Sequence, residues 1–225
     1  MIIITGASRG LGKAITTRLI EKGEEVVGLA RSVSDLSIDA IECDVSDYSS
    51  VKSAYREIKR MKKPVKAFIN AAGVASMNMA VTTDDSTVQR VIQTNLVGTI
   101  YCCQIFAPIM LRQKHGSFIN FSTIAVALAL EGESVYAASK AGVESFSRTL
   151  AREIADFNVR VNCIAPGPIR TDLLRGITDI QINKIISRQV IHKQFQKSDV
   201  CDLVELLIDE RSASLSGQVL NVGGV

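Results

Sequence analysis

The feature that most restricts this chain's fold is an alternation kept up along all 225 residues. Short β-rich apolar runs take turns with longer amphipathic stretches. Residues 2–4, 25–29, 40–43, 66–69, 117–121, 159–164 and 218–222 read as strands. Helical periodicity falls between them, over 11–21, 50–61, 86–113, 136–156 and 199–209. Gly98 and Pro108 interrupt the longest of these stretches, so two helices are expected there. Strands joined by crossover helices run parallel and need cover on both faces. No linker, repeat or shift in composition divides the chain. The expectation is a single doubly wound α/β domain, 1–225, around a seven-stranded parallel sheet.

Composition narrows the function classes. Lys and Arg number 26 against 23 Asp and Glu, a net +3. That balance gives no basic stripe for nucleic acid or a membrane surface. The longest uninterrupted apolar run, 124–130, is too short for a bilayer, and no secretory signal precedes the first strand. Five cysteines (Cys43, Cys102, Cys103, Cys163 and Cys201) lack metal-ligand spacing and read as small buried hydrophobes of a reducing cytosol. His115 and His192 are too few and too far apart to suggest zinc. The basic run Lys59-Arg60-Met61-Lys62-Lys63 sits where cations complement a helix C-terminus. A cytoplasmic protein without metal is expected.

Chemistry first appears at Thr5-Gly6-Ala7-Ser8-Arg9-Gly10-Leu11-Gly12, a glycine turn between the first strand and first helix. Gly6 allows the tight turn, Gly10 lets a diphosphate approach the backbone, and Gly12 permits close helix–strand packing. Open N–H groups at the helix start then favour a phosphate. The spacing is G-x-x-x-G-x-G, and an ordinary tight turn would look similar. The second strand exits through Ala30-Arg31-Ser32, with no carboxylate for a ribose 2′-hydroxyl. Arg31, helped by Arg9, suits a 2′-phosphate, which favours NADP over NAD.

Tyr136 and Lys140 stand four residues apart on one helical face. Their helix follows a strand ending Asn120-Phe121-Ser122-Thr123, at the sheet edge where open α/β folds bind ligands. Taken together, these pieces resemble the short-chain dehydrogenase/reductase family over nearly the whole chain, on a Rossmann-type fold. The resemblance rests on the glycine turn, Asp44-Val45, Asn70-Ala71-Ala72-Gly73, Asn95, Tyr136-x-x-x-Lys140 and Pro166-Gly167-Pro168-Ile169-Arg170-Thr171.

That resemblance implies Tyr136 as general acid in carbonyl reduction, or base in alcohol oxidation. Lowering a phenol from ~10 to about 7 takes roughly 4 kcal/mol, which Lys140 and a cationic nicotinamide would supply. It implies that Lys140 holds the nicotinamide ribose and that Asn95 supports a proton-relaying water. The cofactor would further meet Gly6, Ser8, Arg9, Gly10, Leu11, Gly12, Arg31, Asp44, Val45, Asn70, Ala71, Ala72, Gly73, Pro166, Gly167, Ile169 and Thr171. The family's serine thirteen residues before the tyrosine is Thr123 here. Its hydroxyl still donates to a carbonyl, while its methyl narrows the pocket. Ser122 is the alternative donor, though alternation points it to the other face.

Within the family the chain is most similar to 3-oxoacyl-(acyl-carrier-protein) reductases, through Thr94-Asn95-Leu96, Ala151-Arg152-Glu153-Ile154, the run from Val161 to Gly167 and the run from Gly217 to Val222. This implies an NADPH-dependent reduction of a 3-oxoacyl thioester or related ketone in fatty-acid biosynthesis. An acyl carrier protein would dock near Lys114, although Phe157 stands where arginine is expected. A sugar, steroid or small alcohol is the alternative substrate, and a non-catalytic NADP-binding regulator a further one. The resemblance also implies a homotetramer or dimer built through 95–113 and 136–156. The segment 172–197, with Leu173, Leu174, Ile177, Ile180, Ile182, Ile185 and Ile186, is expected to cover the substrate or to pack as a small helix. Ending just past Val222-Gly223-Gly224, the chain reads as nearly all cofactor-binding core.

Overall fold

The computed structural model describes residues 1–34, 36, 38–171 and 178–225. Seven parallel strands form the sheet: β1 (Ile2–Thr5), β2 (Val26–Ala30), β3 (Ala40–Glu42), β4 (Ala67–Asn70), β5 (Gly116–Phe121), β6 (Val159–Ala165) and β7 (Val219–Asn221). Their order is β3-β2-β1-β4-β5-β6-β7, so the chain reverses direction across the sheet between β1 and β4. In an open α/β sheet that switch point opens a crevice at the carboxyl ends of the strands.

The helices are α1 (Gly10–Glu21), α2 (Tyr48–Arg60), α3 (Asp85–Ile92), α4 (Gly98–Gln113), the short α5 (Ala125–Leu128), α6 (Ser134–Glu153), α7 (Asp179–Ile186) and α8 (Lys197–Ile208). Because strand side chains alternate, each apolar run feeds two cores. Ile3, Phe68, Phe118 and Val161 face the layer containing Val51, Phe106, Met110 and Leu150. Ile2, Ile4, Ile69 and Ile119 face Ile15, Leu19, Val204 and Leu207 on the other side. All five cysteines are buried and unpaired, as small apolar side chains of these layers or their edges.

The expected break at Pro108 does not occur. Pro108 lies inside α4 and is exposed, as is Gln104, whose carbonyl loses its helical donor. The expected division into two helices comes earlier, at a π-helical segment from Gln93 to Val97 that joins α3 to α4, with Gly98 as the first residue of α4. At 29 residues, Asp85–Gln113 is long and apolar enough for a bilayer crossing. Here its apolar residues Cys102, Cys103, Phe106 and Met110 are core. The basic run ends α2 as expected, with Lys59 and Arg60 in the last turn, while Lys63 continues to a salt bridge with Glu25.

Candidate active site

A cleft of about 650 Å³ runs along the carboxyl edge of the sheet. One end is made of backbone. Gly6 and Gly10 both take positive φ, +69° and +60°, which side-chain-bearing residues rarely adopt. A Cβ on Gly6 would lie 2.9 Å from the Ala72 backbone, and one on Gly12 would lie 2.2 Å from the Gly6 carbonyl oxygen. Gly10 differs, since nothing lies within 4 Å of the Cβ it lacks. Arg9, at the N-cap of α1, makes no side-chain capping bond, and the first turn carries no acidic residue. The open N–H groups and the clear space at Gly10 fit a diphosphate.

Thr5 braces this end by accepting a bond from the Ala72 amide at 3.1 Å. Ser8, Arg9, Leu11, Arg31, Ser32, Asp44, Val45, Ala71, Ala72 and Gly73 line the cleft with Gly6 and Gly10. Asp44 is ordered by bonds from Ser46 to its Oδ1, at 2.9 Å from the amide and 2.6 Å from the hydroxyl. Gly12 and Asn70, expected at the cofactor, do not line the cleft. Gly12 packs beneath Gly6. Asn70 donates into the sheet interior, to Asn120 Oδ1 at 2.8 Å, and Asn120 in turn donates to the Ser147 hydroxyl at 2.8 Å.

The other end is made of side chains. Thr123, Tyr136 and Lys140 line it, together with Pro166, Gly167, Ile169 and Thr171 from the exit of β6. Lys140 is buried and its Nζ donates to the Phe121 carbonyl at 2.9 Å. Burial lowers its ammonium to about 8. Burial pushes the Tyr136 phenol above its ordinary value and the charge of Glu133 acts in the same direction, while the Thr123 hydroxyl opposes both. A phenol held protonated beside a cation is a proton donor in waiting.

Ser122 and Thr123 separate as alternation requires. The Ser122 hydroxyl donates to Glu144 Oε1 at 2.6 Å and is buried. Thr123 is more open, and its Oγ1 accepts from the Ala125 amide at 3.2 Å. The threonine is therefore the hydroxyl available to a ligand.

Asn95 does not line the cleft. It sits behind it, fully buried in the π-helical segment. Its Oδ1 accepts from the Val74 amide at 2.8 Å, and its Nδ2 donates to the Val74 carbonyl at 2.9 Å and the Ser139 hydroxyl at 3.1 Å. Both amide hydrogens are thus spent on protein, and the side chain clamps the Gly73–Val74 strand exit to α6. A π-turn at a functional site is a recurrent device for aiming one such side chain. Ser139 completes the clamp by donating to the Tyr136 carbonyl at 2.7 Å. Neither Ser139 nor Glu133 was singled out by sequence pattern. A small helical serine and a charge in a loop carry no periodic signal. Glu133 lines the cleft beside Tyr136. In the expected cover, α7 contributes Ile185 to the cleft, and 172–177, with Leu173, Leu174 and Ile177, lies outside the described residues.

A doubly wound sheet with a glycine cradle at its switch point and a tyrosine–lysine wall beside it defines a nicotinamide-dependent class of oxidoreductase. The particular family follows from comparison. Residues 1–181 match the short chain dehydrogenase family, and the chain belongs to it. It is similar to carbonyl reductase family member 4 of Xenopus laevis, 32% identical over 98% of this chain and 95% of that one. It is 30% identical to a 3-oxoacyl-(acyl-carrier-protein) reductase of Escherichia coli (strain K12), over 99% of this chain and 95% of the other. A solved structure of 4-hydroxyisoleucine dehydrogenase complexed with NADH and succinate has a TM-score of 0.90 at 25% identity, covering 100% of this chain and 98% of that one.

Proposed function

We propose that the protein is an NADPH-dependent carbonyl reductase acting on a 3-oxoacyl thioester or related ketone. The observation that carries this is the convergence of Tyr136, Thr123 and Lys140 on the cleft that begins at the glycine cradle. The nicotinamide cofactor supplies a hydride when bound, and the chain's own residues do the rest. Tyr136 donates its phenolic proton to the carbonyl oxygen, and Thr123 donates a hydrogen bond to the same oxygen. Lys140 keeps a positive charge close to the phenol, which stabilises the phenolate left behind. The clamp of Asn95 and Ser139 fixes the helix turn that carries both residues.

Arg31 and Ser32, which follow β2, and Arg9 at the N-cap of α1 all line the cleft, and this supports NADPH over NADH. An acyl carrier protein as thioester donor, a cytoplasmic setting and a homo-oligomer formed through α4 and α6 belong to the same proposal. The purified protein, assayed with NADPH and NADH against acetoacetyl thioesters and a panel of ketones, tests cofactor and substrate class together. Oxidation of NADPH by thioesters at least about 10-fold faster than by simple ketones is the expected result. Glu133 favours a second reading of the substrate, a small hydroxylated ketone.

A further inference from the structure

Glu133 is placed where a carboxylate is unfavourable without a partner. It holds the N-cap position of α6, yet its side chain makes no capping bond. Its backbone bonds to Leu130 and Ala137, but its carboxylate forms no hydrogen bond or ion pair with any of the described residues. It is only 9% exposed and lines the cleft together with Thr123, Tyr136 and Lys140. Burial pushes its carboxyl above the ordinary value. Three described basic side chains of the 170–188 region are engaged elsewhere. Arg188 donates to the Leu128 carbonyl, Lys184 pairs with Glu131 at 3.8 Å, and Arg170 pairs with Asp179 at 2.8 Å.

When a ligand fills the cleft and displaces the solvent that reaches this carboxylate, the group is tolerated only if the ligand brings a donor. Its place one turn before Tyr136 on the same helix face puts that donor close to the reacting carbon. Phosphates at the glycine end would be repelled by it, so the donor belongs to the substrate. Lys140 in the same wall disfavours a second cation, which makes a neutral hydroxyl the better donor. Ile124, Leu130 and Ile185 line the cleft as well and suit a carbon frame around it.

We propose that Glu133 sets substrate specificity by accepting a hydrogen bond from a hydroxyl group near the reacting carbonyl, so that among ketones the cleft selects hydroxyketones over unsubstituted ones. This rests on the hydride-transfer reading and narrows its substrate. A site built around a buried acceptor rejects the analogue that leaves the acceptor unpaired.

The test compares 2-hydroxycyclohexanone with cyclohexanone as NADPH oxidants for the wild type, Glu133→Gln and Glu133→Leu. The wild type is expected to prefer the hydroxyketone by about 10-fold or more in kcat/KM. Glu133→Leu should bring that ratio close to one, with the loss falling on the hydroxyketone. Glu133→Gln keeps an acceptor and should retain part of the preference. The ratio cancels any shared effect on folding, cofactor or Tyr136, so a ratio unmoved by Glu133→Leu overturns the proposal. Binding of cis-cyclohexane-1,2-diol and cyclohexanol, read as shifts in Tm with saturating NADP, separates the two readings. A diol-specific shift lost in Glu133→Leu, without turnover of either ketone, sinks the reaction and keeps the role of Glu133. Equal shifts in both proteins, with no preference in turnover, remove that role.

Discussion

The two ends of the cleft are built by opposite means. At the glycine end, shape comes from side chains that are missing. Gly10 leaves open space, and Gly6 and Gly12 let backbone meet backbone. At the tyrosine end, shape comes from side chains carried by separate elements: Thr123 after β5, Glu133 and Tyr136 at the start of α6, Ile185 on α7. A cradle of main-chain groups recognises what all dinucleotides share, and so it specifies a cofactor class. A wall of side chains changes with each substitution, and so substrate choice resides there.

This contrast is open to attack at both ends. Tyr136→Phe should have the largest effect, lowering kcat about 1,000-fold while the Kd for NADPH stays within about threefold. Equal losses in both would mean that the tyrosine end also builds the cradle. Stopped-flow turnover and fluorescence titration of NADPH measure the two quantities.

Lys140 comes next, through stability. Its ammonium titrates near 8 in the folded protein against an ordinary 10.5. Between those values the unfolded chain binds more protons, so stability rises with pH there; the rise ends near the tyrosine range, where the buried Tyr136 phenol begins to act in the opposite sense. Below about 8 both states are protonated and the whole penalty, about 3 kcal/mol, is present. Lys140→Met should therefore stabilise the cofactor-free protein at pH 7 by up to about 3 kcal/mol and flatten the rise, at the expense of turnover. Urea melts at pH 7, 8, 9 and 10 check this. An unchanged slope would mean that the ammonium is not desolvated.

Thr123→Ala should lower kcat about 100-fold, whereas Thr123→Ser stays within about threefold. Ser122→Ala should affect urea stability more than kcat, because its hydroxyl is committed to Glu144. The reverse ranking would move the ligand's hydroxyl donor to Ser122. At the cradle end, Arg31→Ala should reduce kcat/KM for NADPH about 20-fold and leave NADH nearly unchanged. Equal losses with both cofactors would show that Arg31 does not read a 2′-phosphate.

Legibility follows the same division. Ile2-Ile3-Ile4 and the other strands were readable because a parallel sheet buried on both faces demands unbroken apolar runs. The glycine turn was readable because positive φ and close backbone contact leave few alternatives to glycine. Pro108 misled, because a proline's effect depends on whether its helix face meets solvent, a tertiary property. Asn70 was expected at the cofactor and Asn95 at a proton-relaying water, and their amides serve the sheet interior and the strand–helix clamp. Glu133 and Ser139 stayed hidden, since a carboxylate without a partner among the described residues and a clamping hydroxyl exist only once β5, α6 and the π-helical segment are packed together.

The central claim is that hydride passes to a carbonyl carbon beside Tyr136. Its most direct test is the reduction of a turned-over ketone with 4-deuterated NADPH, followed by mass spectrometry of the alcohol. The account predicts one deuterium on the carbinol carbon with the wild-type protein and a rate about 1,000-fold lower with Tyr136→Phe. Alcohol without deuterium from either C4 position, or equal rates for the two proteins, would contradict it.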